Sequence, residues 1–229
     1  MEKEAKIGRS AAARQIKGRL LPRSFYEASP ELVAPCLLGK LLAHHTSRGV
    51  IAGRIVEVEA YLGPHHNTPD PASHSYRGPT PRNQVMFGPP GHAYVYAIYG
   101  MHFCMNVTCD VDGVAGGILI RALEPVVGLH QMARNRGLGV NAAQRLLTSG
   151  PGRLCQALGL TREAHNGLDL TKRNSPLQII DDKNVICDVA VTVRIGIRNA
   201  VDLPLRFTIS GHTCVSGPRN LAPKRIFTP

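Results

Sequence analysis

Residues 54–62 read Arg-Ile-Val-Glu-Val-Glu-Ala-Tyr-Leu, and this stretch has the pattern of a β-strand. Its β-branched residues alternate with other residue types, which is typical of a strand with two different faces. Successive side chains of a strand point to opposite faces. We therefore predict that one face packs into a core and carries Val56, Val58, Ala60 and Leu62.

The opposite face of this strand is predicted to be open and to carry Glu57, Glu59 and Tyr61. Two carboxylates and a phenol do not serve packing. A carboxylate held in a cleft of a basic protein is a candidate for proton chemistry. Two other interpretations stay open at this point: Glu59 as the salt-bridge partner of an arginine, and Tyr61 as a half-buried packing residue.

The surrounding sequence predicts a single α+β domain, because strands and helices do not alternate strictly as they do in a doubly wound sheet. The expected architecture is a mixed, mostly antiparallel, curved sheet with surrounding helices and a protruding β-hairpin. A long polar loop, residues 63–92, is expected to be functional or disordered. The predicted strands are 50–62, 93–99, 103–109, 117–123, 185–198 and 204–210. The predicted helices are 31–41, 125–136, 141–148 and 151–158.

The length of 229 residues fits one domain with tails. We predict a basic flexible N-terminal tail at residues 1–20, a folded domain at 21–215 and a basic C-terminal tail at 216–229. No apolar run reaches the roughly 18 residues of a membrane span, and the N-terminus lacks the apolar region of a secretory signal. A membrane partner is therefore not expected.

The chain is strongly basic, with a formal net charge of +11 and a pI near 9.8. Arginine outnumbers lysine by 20 to 7, and the planar arginine fork suits phosphate groups. Nucleic acid is the most economical partner for such a charge. The alternative is a basic soluble protein without a nucleic-acid partner.

Half of the six tyrosines lie in one predicted hairpin, as Tyr94, Tyr96 and Tyr99. Tyr99 falls at the hairpin tip beside Gly100, where a bulky aromatic ring is costly unless a partner covers it. Apolar wedges of nucleic-acid-binding proteins enter base stacks in this way. An aromatic sheet core is the competing interpretation, and we prefer it for Tyr94.

Arg121 lies inside an apolar strand, and a buried arginine requires a carboxylate or comparable acceptors. Glu59 and Glu124 are the candidates. An arginine paired with Glu59 would keep that carboxylate ionised, as a general base requires. The alternative is an ion pair with a purely structural role.

The histidines of the long loop suggest a metal site, but their spacing matches no zinc pattern. They are His65, His66, His74 and His92. The six cysteines form no C-x-x-C pair, so a zinc ribbon is not expected either. We predict no metal and no cofactor. A metal hydrolase that uses the loop histidines remains a third, minor hypothesis.

Several segments together resemble the signature of the alkyladenine (3-methyladenine, methylpurine) DNA glycosylases. The resemblance spans about residues 20–211, and the order and spacing of its motifs are specific although each motif alone is weak. The motifs are Glu57–Pro64, Ala72–Ser75, Thr80–Asn83, Met86–Gly91, Tyr94–Met101, Cys104–Asn106, Leu119–Pro125 and Ser149–Pro151. The loop between Tyr61 and Ala72 is a few residues longer than the family pattern, so no role is assigned to His65 or His66.

The resemblance implies catalytic roles for two residues. Glu59 would be the general base that activates a water molecule, and Arg121 would help to hold that water and Glu59. At the hairpin tip, Tyr99 would occupy the place of the flipped nucleotide in the base stack, with Met101 beside it.

The resemblance also implies a pocket for the extruded base. Tyr61, His74 and Tyr96 would sandwich the base, and Asn106 would disfavour the exocyclic amine of guanine. No lysine in the motifs is placed for Schiff-base chemistry, so simple hydrolysis without strand cleavage is expected.

The resulting prediction is a monofunctional DNA glycosylase of base excision repair that acts as a monomer on double-stranded DNA. Its expected substrates are 3-methyladenine, 7-methylguanine and hypoxanthine. The expected location is the cytoplasm or nucleoid of a bacterium, or the nucleus of a eukaryote. The alternative function is a non-catalytic nucleic-acid-binding module with the same sheet and basic surface.

Overall fold

The structure is a computed structural model that describes residues 16–186, 188–217 and 225–227. Within these ranges it has ten strands and five helices, and this confirms the predicted α+β class. The strands are β1 (Arg19–Leu20), β2 (Leu41–Thr46), β3 (Gly49–Tyr61), β4 (Ala93–Ile98), β5 (His102–Cys109), β6 (Gly116–Val127), β7 (Leu177–Asp181), β8 (Val189–Thr192), β9 (Arg206–Ile209) and β10 (Arg225–Phe227). The helices are α1 (Pro30–Leu37), α2 (Leu129–Asn135), α3 (Gln144–Thr148), α4 (Pro151–Leu158) and α5 (Arg162–His165).

All strands of the described residues belong to one sheet, and every pairing in it is antiparallel. The main order is β1-β7-β2-β3-β6-β5-β4. β3 is the centre of the fold because it pairs with β6 along one edge and with two strands along the other. Its first half pairs with β2, and residues 57–59 pair with β9.

The pairing of β3 with β6 changes register three times, and the last two changes lie between Ile55 and Val58. The pairs across these changes are Ile55–Leu123, Glu57–Ala122 and Val58–Ile120. Val56 is thus an extra residue on β3, and Arg121 is an extra residue on β6. Such bulges reorient side chains and occur frequently beside active sites.

One core-facing prediction for β3, that of Val56, is wrong because Val56 is the extra residue of a bulge. Val58, Ala60 and Leu62 lie in the main hydrophobic core, as the alternation predicted. Val56 instead packs in a small separate cluster with Ala122 and Cys214. An inserted residue shifts the alternation by one position, so Val56 and Val58 no longer share a face.

Most predicted elements are present, with different ends. Helix 151–158 is found with the predicted bounds, whereas helix 125–136 shortens to α2 because β6 continues to Val127. Strand 185–198 reduces to β8, since residues 193–203 form irregular structure. The sequence did not predict β2 or β7, and the predicted helix 31–41 extended four residues too far.

The predicted tails lie mostly outside the described residues, which start at residue 16 and end with 225–227. Within the described parts of these tails, β1 pairs with β7 and β10 pairs with β8. The division into tails and domain therefore stays a prediction. No helix among the described residues is long and apolar enough to cross a membrane.

Candidate active site

A cavity of about 340 Å³ is lined by residues of β3, β4, β5 and β6 and of the loops around them. Six of the residues that the sequence singled out line this cavity: Tyr61, His74, Tyr96, Tyr99, Asn106 and Arg121. These residues come from a strand, a loop, a hairpin and a neighbouring strand, and the sheet brings them together. Glu59 and Met101 do not line the cavity wall.

The prediction that Glu59 lies on an open face is wrong. Glu57 and Glu59 both have 0% exposure. β9 pairs with this part of β3, and the irregular segment that contains Ile195 covers the face that was expected to be open. Glu59 is therefore one layer behind the cavity, in contact with residues that form its wall.

Three donors approach the Glu59 carboxylate, and each belongs to a residue of the cavity wall. The backbone N–H of Ile195 donates to Oε1 over 2.8 Å. The hydroxyl of Tyr61 donates to Oε2 over 2.9 Å, and Nη1 of Arg121 donates to the same oxygen over 3.1 Å. A carboxylate has about four acceptor sites, so three donors leave about one acceptor site of Glu59 unfilled.

Arg121 is buried between two carboxylates, as its position in an apolar strand required. Its Nε donates to Glu57 over 3.0 Å, and its Nη1 donates to Glu59. Burial alone would lower the pKa of Arg121, but the charges of Glu59 and Glu57 outweigh burial and raise this pKa above its ordinary value. Glu124, the other predicted partner, instead lies within 3.7 Å of His212.

One wall of the cavity is a cluster of three rings. His74 contacts Tyr96 edge-on at 4.5 Å between centroids, and Tyr94 stacks on Tyr96 at 5.2 Å. The Nδ1 of His74 shares a hydrogen bond of 3.0 Å with the hydroxyl of Tyr94. Burial lowers the pKa of His74, and the positive charge of Arg82 lowers it further. His74 is therefore neutral at neutral pH.

The loop that carries His74 is held by one buried side chain. Asn83 donates through Nδ2 to the carbonyl oxygens of His74, at 2.8 Å, and of Gly78, at 3.1 Å. Its Oδ1 accepts the backbone N–H of Thr80 over 2.6 Å. The Thr80–Asn83 motif thus orders part of the long loop.

Tyr61 lies in the wall with a cation behind its ring. The guanidinium carbon of Arg194 is 4.6 Å from the ring centroid. Arg194 is itself buried in a two-fold ion pair with Asp70, at 2.6 and 2.8 Å. Burial, followed by the charge of Glu59, raises the pKa of Tyr61, so its hydroxyl remains a hydrogen-bond donor.

Asp70 also orders the loop that separates Tyr61 from His74. Its carboxylate accepts the backbone N–H groups of Leu62, at 3.1 Å, and Ala72, at 3.2 Å. One buried carboxylate therefore holds both ends of the segment 62–72, which is part of the long loop.

The hydroxyl of Tyr96 lies beside the side chains of Cys104 and Asn106, and all three residues line the cavity. Burial raises the pKa of Tyr96. Burial also raises the pKa of the Cys104 thiol to about 11, so this thiol is protonated and a poor nucleophile at neutral pH. Asn106 is buried and supplies a neutral polar group.

The tip of the β4–β5 hairpin is the most exposed apolar feature near the cavity. Tyr99 is 91% exposed and Met101 is 81% exposed. Tyr99 has a φ of 48°, in a region that is uncommon for a residue with a bulky side chain. Tyr99 also lines the cavity, so one ring lies at its mouth and in solvent.

Sequence reasoning missed several residues of the cavity wall. Tyr94 is buried at 1% exposure, as the core interpretation expected, and it also lines the cavity, where its hydroxyl shares a hydrogen bond with His74. Arg82 lies 5.6 Å above the ring of Tyr96, and the Thr80–Asn83 motif was the signal that could have identified it. Ile195 gave no sequence signal, because it acts through its backbone N–H group.

The other loop histidines are not gathered at the cavity. His66 lies 2.9 Å from Asp110, and His92 lies 4.0 Å from Asp169. Among the described residues, no group of three or more His, Cys, Asp or Glu side chains is arranged to hold a metal ion.

Comparison with known proteins identifies one family. The model of the family described as methylpurine-DNA glycosylase (MPG) matches residues 24–213. A protein of Koribacter versatilis is 52% identical over 201 residues, which is 88% of this chain and 95% of that protein. A protein of Nitrobacter winogradskyi is 49% identical over 203 residues, which is 89% of this chain and 90% of that protein. A protein of Methanoculleus marisnigri is 50% identical over 200 residues, which is 86% of this chain and 98% of that protein. All three carry the provisional name 3-methyladenine DNA glycosylase.

Proposed function

The chain belongs to the methylpurine-DNA glycosylase family and is a DNA glycosylase; on that premise we propose that it removes alkylated and deaminated purines from duplex DNA. The proposed substrates are 3-methyladenine, 7-methylguanine and hypoxanthine. The observation that carries the proposal is the Glu59 carboxylate, which three residues of the cavity wall, Arg121, Tyr61 and Ile195, contact directly.

The proposed reaction is attack of a water molecule on the anomeric carbon of the flipped nucleotide. Glu59 takes a proton from the water molecule while the oxygen of that water bonds to C1′. The C1′–N9 bond breaks, and its electron pair goes to the purine. A purine alkylated at N3 or N7 carries a positive charge and leaves as a neutral base. General-base help of this kind contributes about 10²–10⁴-fold.

Arg121 has two proposed effects on the general base Glu59. Its Nη1 orients the Glu59 carboxylate by a hydrogen bond of 3.1 Å, and its positive charge attracts that carboxylate across the same contact. Because Glu59 is buried, a water molecule can approach its carboxylate only from the side of the cavity wall. The three wall residues that contact Glu59, which are Arg121, Tyr61 and Ile195, therefore control the access of water to this general base.

The aromatic walls support a pocket for one extruded purine. A base cannot be attacked while it is stacked in the duplex, so the nucleotide must turn out, at a cost of a few kcal/mol. Tyr61 and the His74–Tyr96 pair offer ring surfaces on which the purine would stack, and a cationic purine adds an attraction to their π faces. Asn106 is proposed to disfavour guanine through its amide.

Tyr99 and Met101 are proposed to fill the gap that the extruded nucleotide leaves. Their exposure at the hairpin tip supports this role, because an apolar tip without a protein partner suits insertion into a base stack. The partner is proposed to be double-stranded DNA, bound by a monomer through the basic surface.

The test is base release from a panel of duplexes under single-turnover conditions. The panel holds a duplex methylated with dimethyl sulfate, a duplex with one hypoxanthine, and an undamaged duplex. Chromatography measures the free base, and gel analysis with and without alkali measures abasic sites. We expect release of 3-methyladenine, 7-methylguanine and hypoxanthine, with strand breaks that require alkali.

Two results would reject parts of the proposal. Tight binding to every damaged duplex without any base release would favour the non-catalytic binding module. Strand breaks without alkali would exclude simple hydrolysis. The same panel with a chelator tests the metal-hydrolase alternative, for which activity would be lost, whereas the proposed mechanism predicts no change.

A further inference from the structure

Glu57 is a second buried carboxylate, two residues from Glu59, to which the proposed reaction gives no role. It has 0% exposure and does not line the cavity. A buried carboxylate is costly unless it is paired and hydrogen-bonded. Its partners therefore indicate what it does.

Four donors surround Glu57, which is about the full number that a carboxylate accepts. Oε1 accepts Nε of Arg121 at 3.0 Å, Nε of Arg206 at 2.8 Å and the hydroxyl of Ser216 at 3.0 Å. Oε2 accepts the backbone N–H of Ser216 at 2.5 Å. Glu57 thus has little capacity left for water or substrate, in contrast to Glu59 with three donors.

Two buried arginines contact the two glutamates in different ways. Arg206 is buried and contacts Glu57 but not Glu59; its Nη1 donates to Thr192 and its Nη2 to the carbonyl of Ser216. Arg121 bridges the pair, with Nε on Glu57 and Nη1 on Glu59. The cluster holds two positive and two negative charges, so removal of Glu57 leaves an excess positive charge and frees one end of Arg121.

The bulge at Arg121 explains why this side chain requires such a support. Arg121 is the extra residue on β6, so no residue of β3 lies directly opposite to fix its direction. An arginine side chain has several rotatable bonds and loses its fixed direction when one end is released. The contacts of Nε with Glu57, at 3.0 Å, and of Nη2 with the Ser216 hydroxyl, at 3.4 Å, fix the guanidinium plane with Nη1 directed at Glu59.

We propose that Glu57 is a positioning residue for the reaction: it holds Arg121 so that Nη1 stays on Glu59, while Arg206 and Ser216 hold Glu57. This inference rests on the proposed function, in which Glu59 is the base. Glu57 acts through Arg121 and has no contact of its own with the substrate.

The test is a double-mutant cycle on the rate of hypoxanthine release, measured under single-turnover conditions at saturating enzyme. Glu57→Gln is expected to lower this rate by about 10²-fold, the cost of a small misplacement of a catalytic group. In the background Arg121→Gln, Glu57→Gln should change the rate less than about 2-fold, because the guanidinium that Glu57 positions is already absent. The affinity for the hypoxanthine duplex should change little in both backgrounds.

Two further variants keep the test valid if Glu57→Gln folds poorly. The double variant Glu57→Gln/Arg206→Gln removes one buried charge of each sign, and it should show the same loss of rate in a protein that melts cooperatively. The matched control is Asp182→Asn, which removes the charge of the carboxylate that binds Arg54, three residues before Glu57 on β3. The control should keep the wild-type rate, because neither Asp182 nor Arg54 lines the cavity or bonds to Glu57 or Glu59.

The outcomes separate this inference from the proposed function. If the wild type releases hypoxanthine and Glu59→Gln does not, while Glu57→Gln is as fast as the wild type, only the role of Glu57 is rejected. An equal loss from Glu57→Gln in both backgrounds also rejects it, because Glu57 would then act without Arg121. Absence of release by the wild type rejects the proposed function itself.

Discussion

At the scale of single residues, the sequence could not distinguish the two glutamates of β3. Both stand in the same alternating pattern, and both were expected on an open face. Their difference is the number of donors, four for Glu57 and three for Glu59. All of these donors except the Tyr61 hydroxyl come from β6, β9 and irregular segments far away in sequence, so a local pattern contains almost no information about them.

The cavity residues were predictable for a different reason. The motifs preserve residue types in order, so the resemblance identified Tyr61, His74, Tyr96 and Asn106, which the sheet brings to one cavity. Ile195 could not be identified in this way because its contribution is a backbone N–H, which any residue except proline provides. Side-chain chemistry is visible in a sequence, whereas backbone chemistry requires the fold.

Tyr99 gives a prediction at the residue scale. Replacing Tyr99 with Ser should weaken binding to a hypoxanthine duplex by about 10-fold or more, because a stacked aromatic–base contact is worth about 1–3 kcal/mol. The ring is almost fully exposed, so the melting temperature should hardly change. Fluorescence anisotropy at constant salt measures the affinity.

The matched control for Tyr99 is Tyr76→Ser, which removes a second exposed tyrosine, outside the hairpin and not in the cavity wall. This control should bind the lesion duplex like the wild type. Equal affinities of the Tyr99→Ser variant and the wild type would remove the wedge role.

At the scale of elements, the alternating pattern predicted β3 but not its bulges. A bulge depends on the pairing of two strands, β3 and β6, which lie some 60 residues apart in the sequence. The same limit applies to β2 and β7. These short strands gain stability by pairing with each other and with β3, so tertiary context rather than local propensity decides them.

A buried histidine pair connects β2 with α4 and α5. His44 donates through Nδ1 to the carbonyl of Leu158 at 2.7 Å, so its Nε2 must accept, and His165 donates from Nε2 over 3.1 Å. The backbone N–H of Thr161 then donates to Nδ1 of His165. This chain of hydrogen bonds requires two neutral rings.

The pair predicts that acid weakens the fold. Burial is the main cause that lowers the pKa of His44 and of His165 below the ordinary value of 6.5. The unfolded state therefore binds more protons than the folded state just below pH 6.5. Stability is full above this pH and is lost as the pH falls through it.

Thermal unfolding at pH 7.5, 6.5 and 5.5 measures this effect. The melting temperature of the wild type should fall by a few degrees towards pH 5.5, and the fall should be smaller for His44→Gln, whose amide keeps the hydrogen bonds without titrating. His130→Gln is the control, because His130 is exposed and should not alter the pH dependence. An identical pH dependence for His44→Gln and the wild type would contradict the assignment.

At the scale of the whole molecule, the net positive charge that suits DNA binding and the negative charge of the proposed general base have opposite effects on a polyanion. A net charge of +11 attracts a polyanion, yet the proposed base is an anion that would repel phosphates. The fold reduces this conflict, because Glu59 is buried and paired with Arg121 behind the cavity wall. Binding should therefore depend on the basic surface, and the reaction on one carboxylate.

The most direct test of the account is to separate these two functions in the variant Glu59→Gln. Its rate of hypoxanthine release under single-turnover conditions should fall by about 10²-fold or more, the contribution of a general base. Its affinity for the same duplex should stay close to that of the wild type, and Glu27→Gln, which changes an exposed carboxylate, should alter neither quantity. A Glu59→Gln variant that releases hypoxanthine at the wild-type rate would contradict the account.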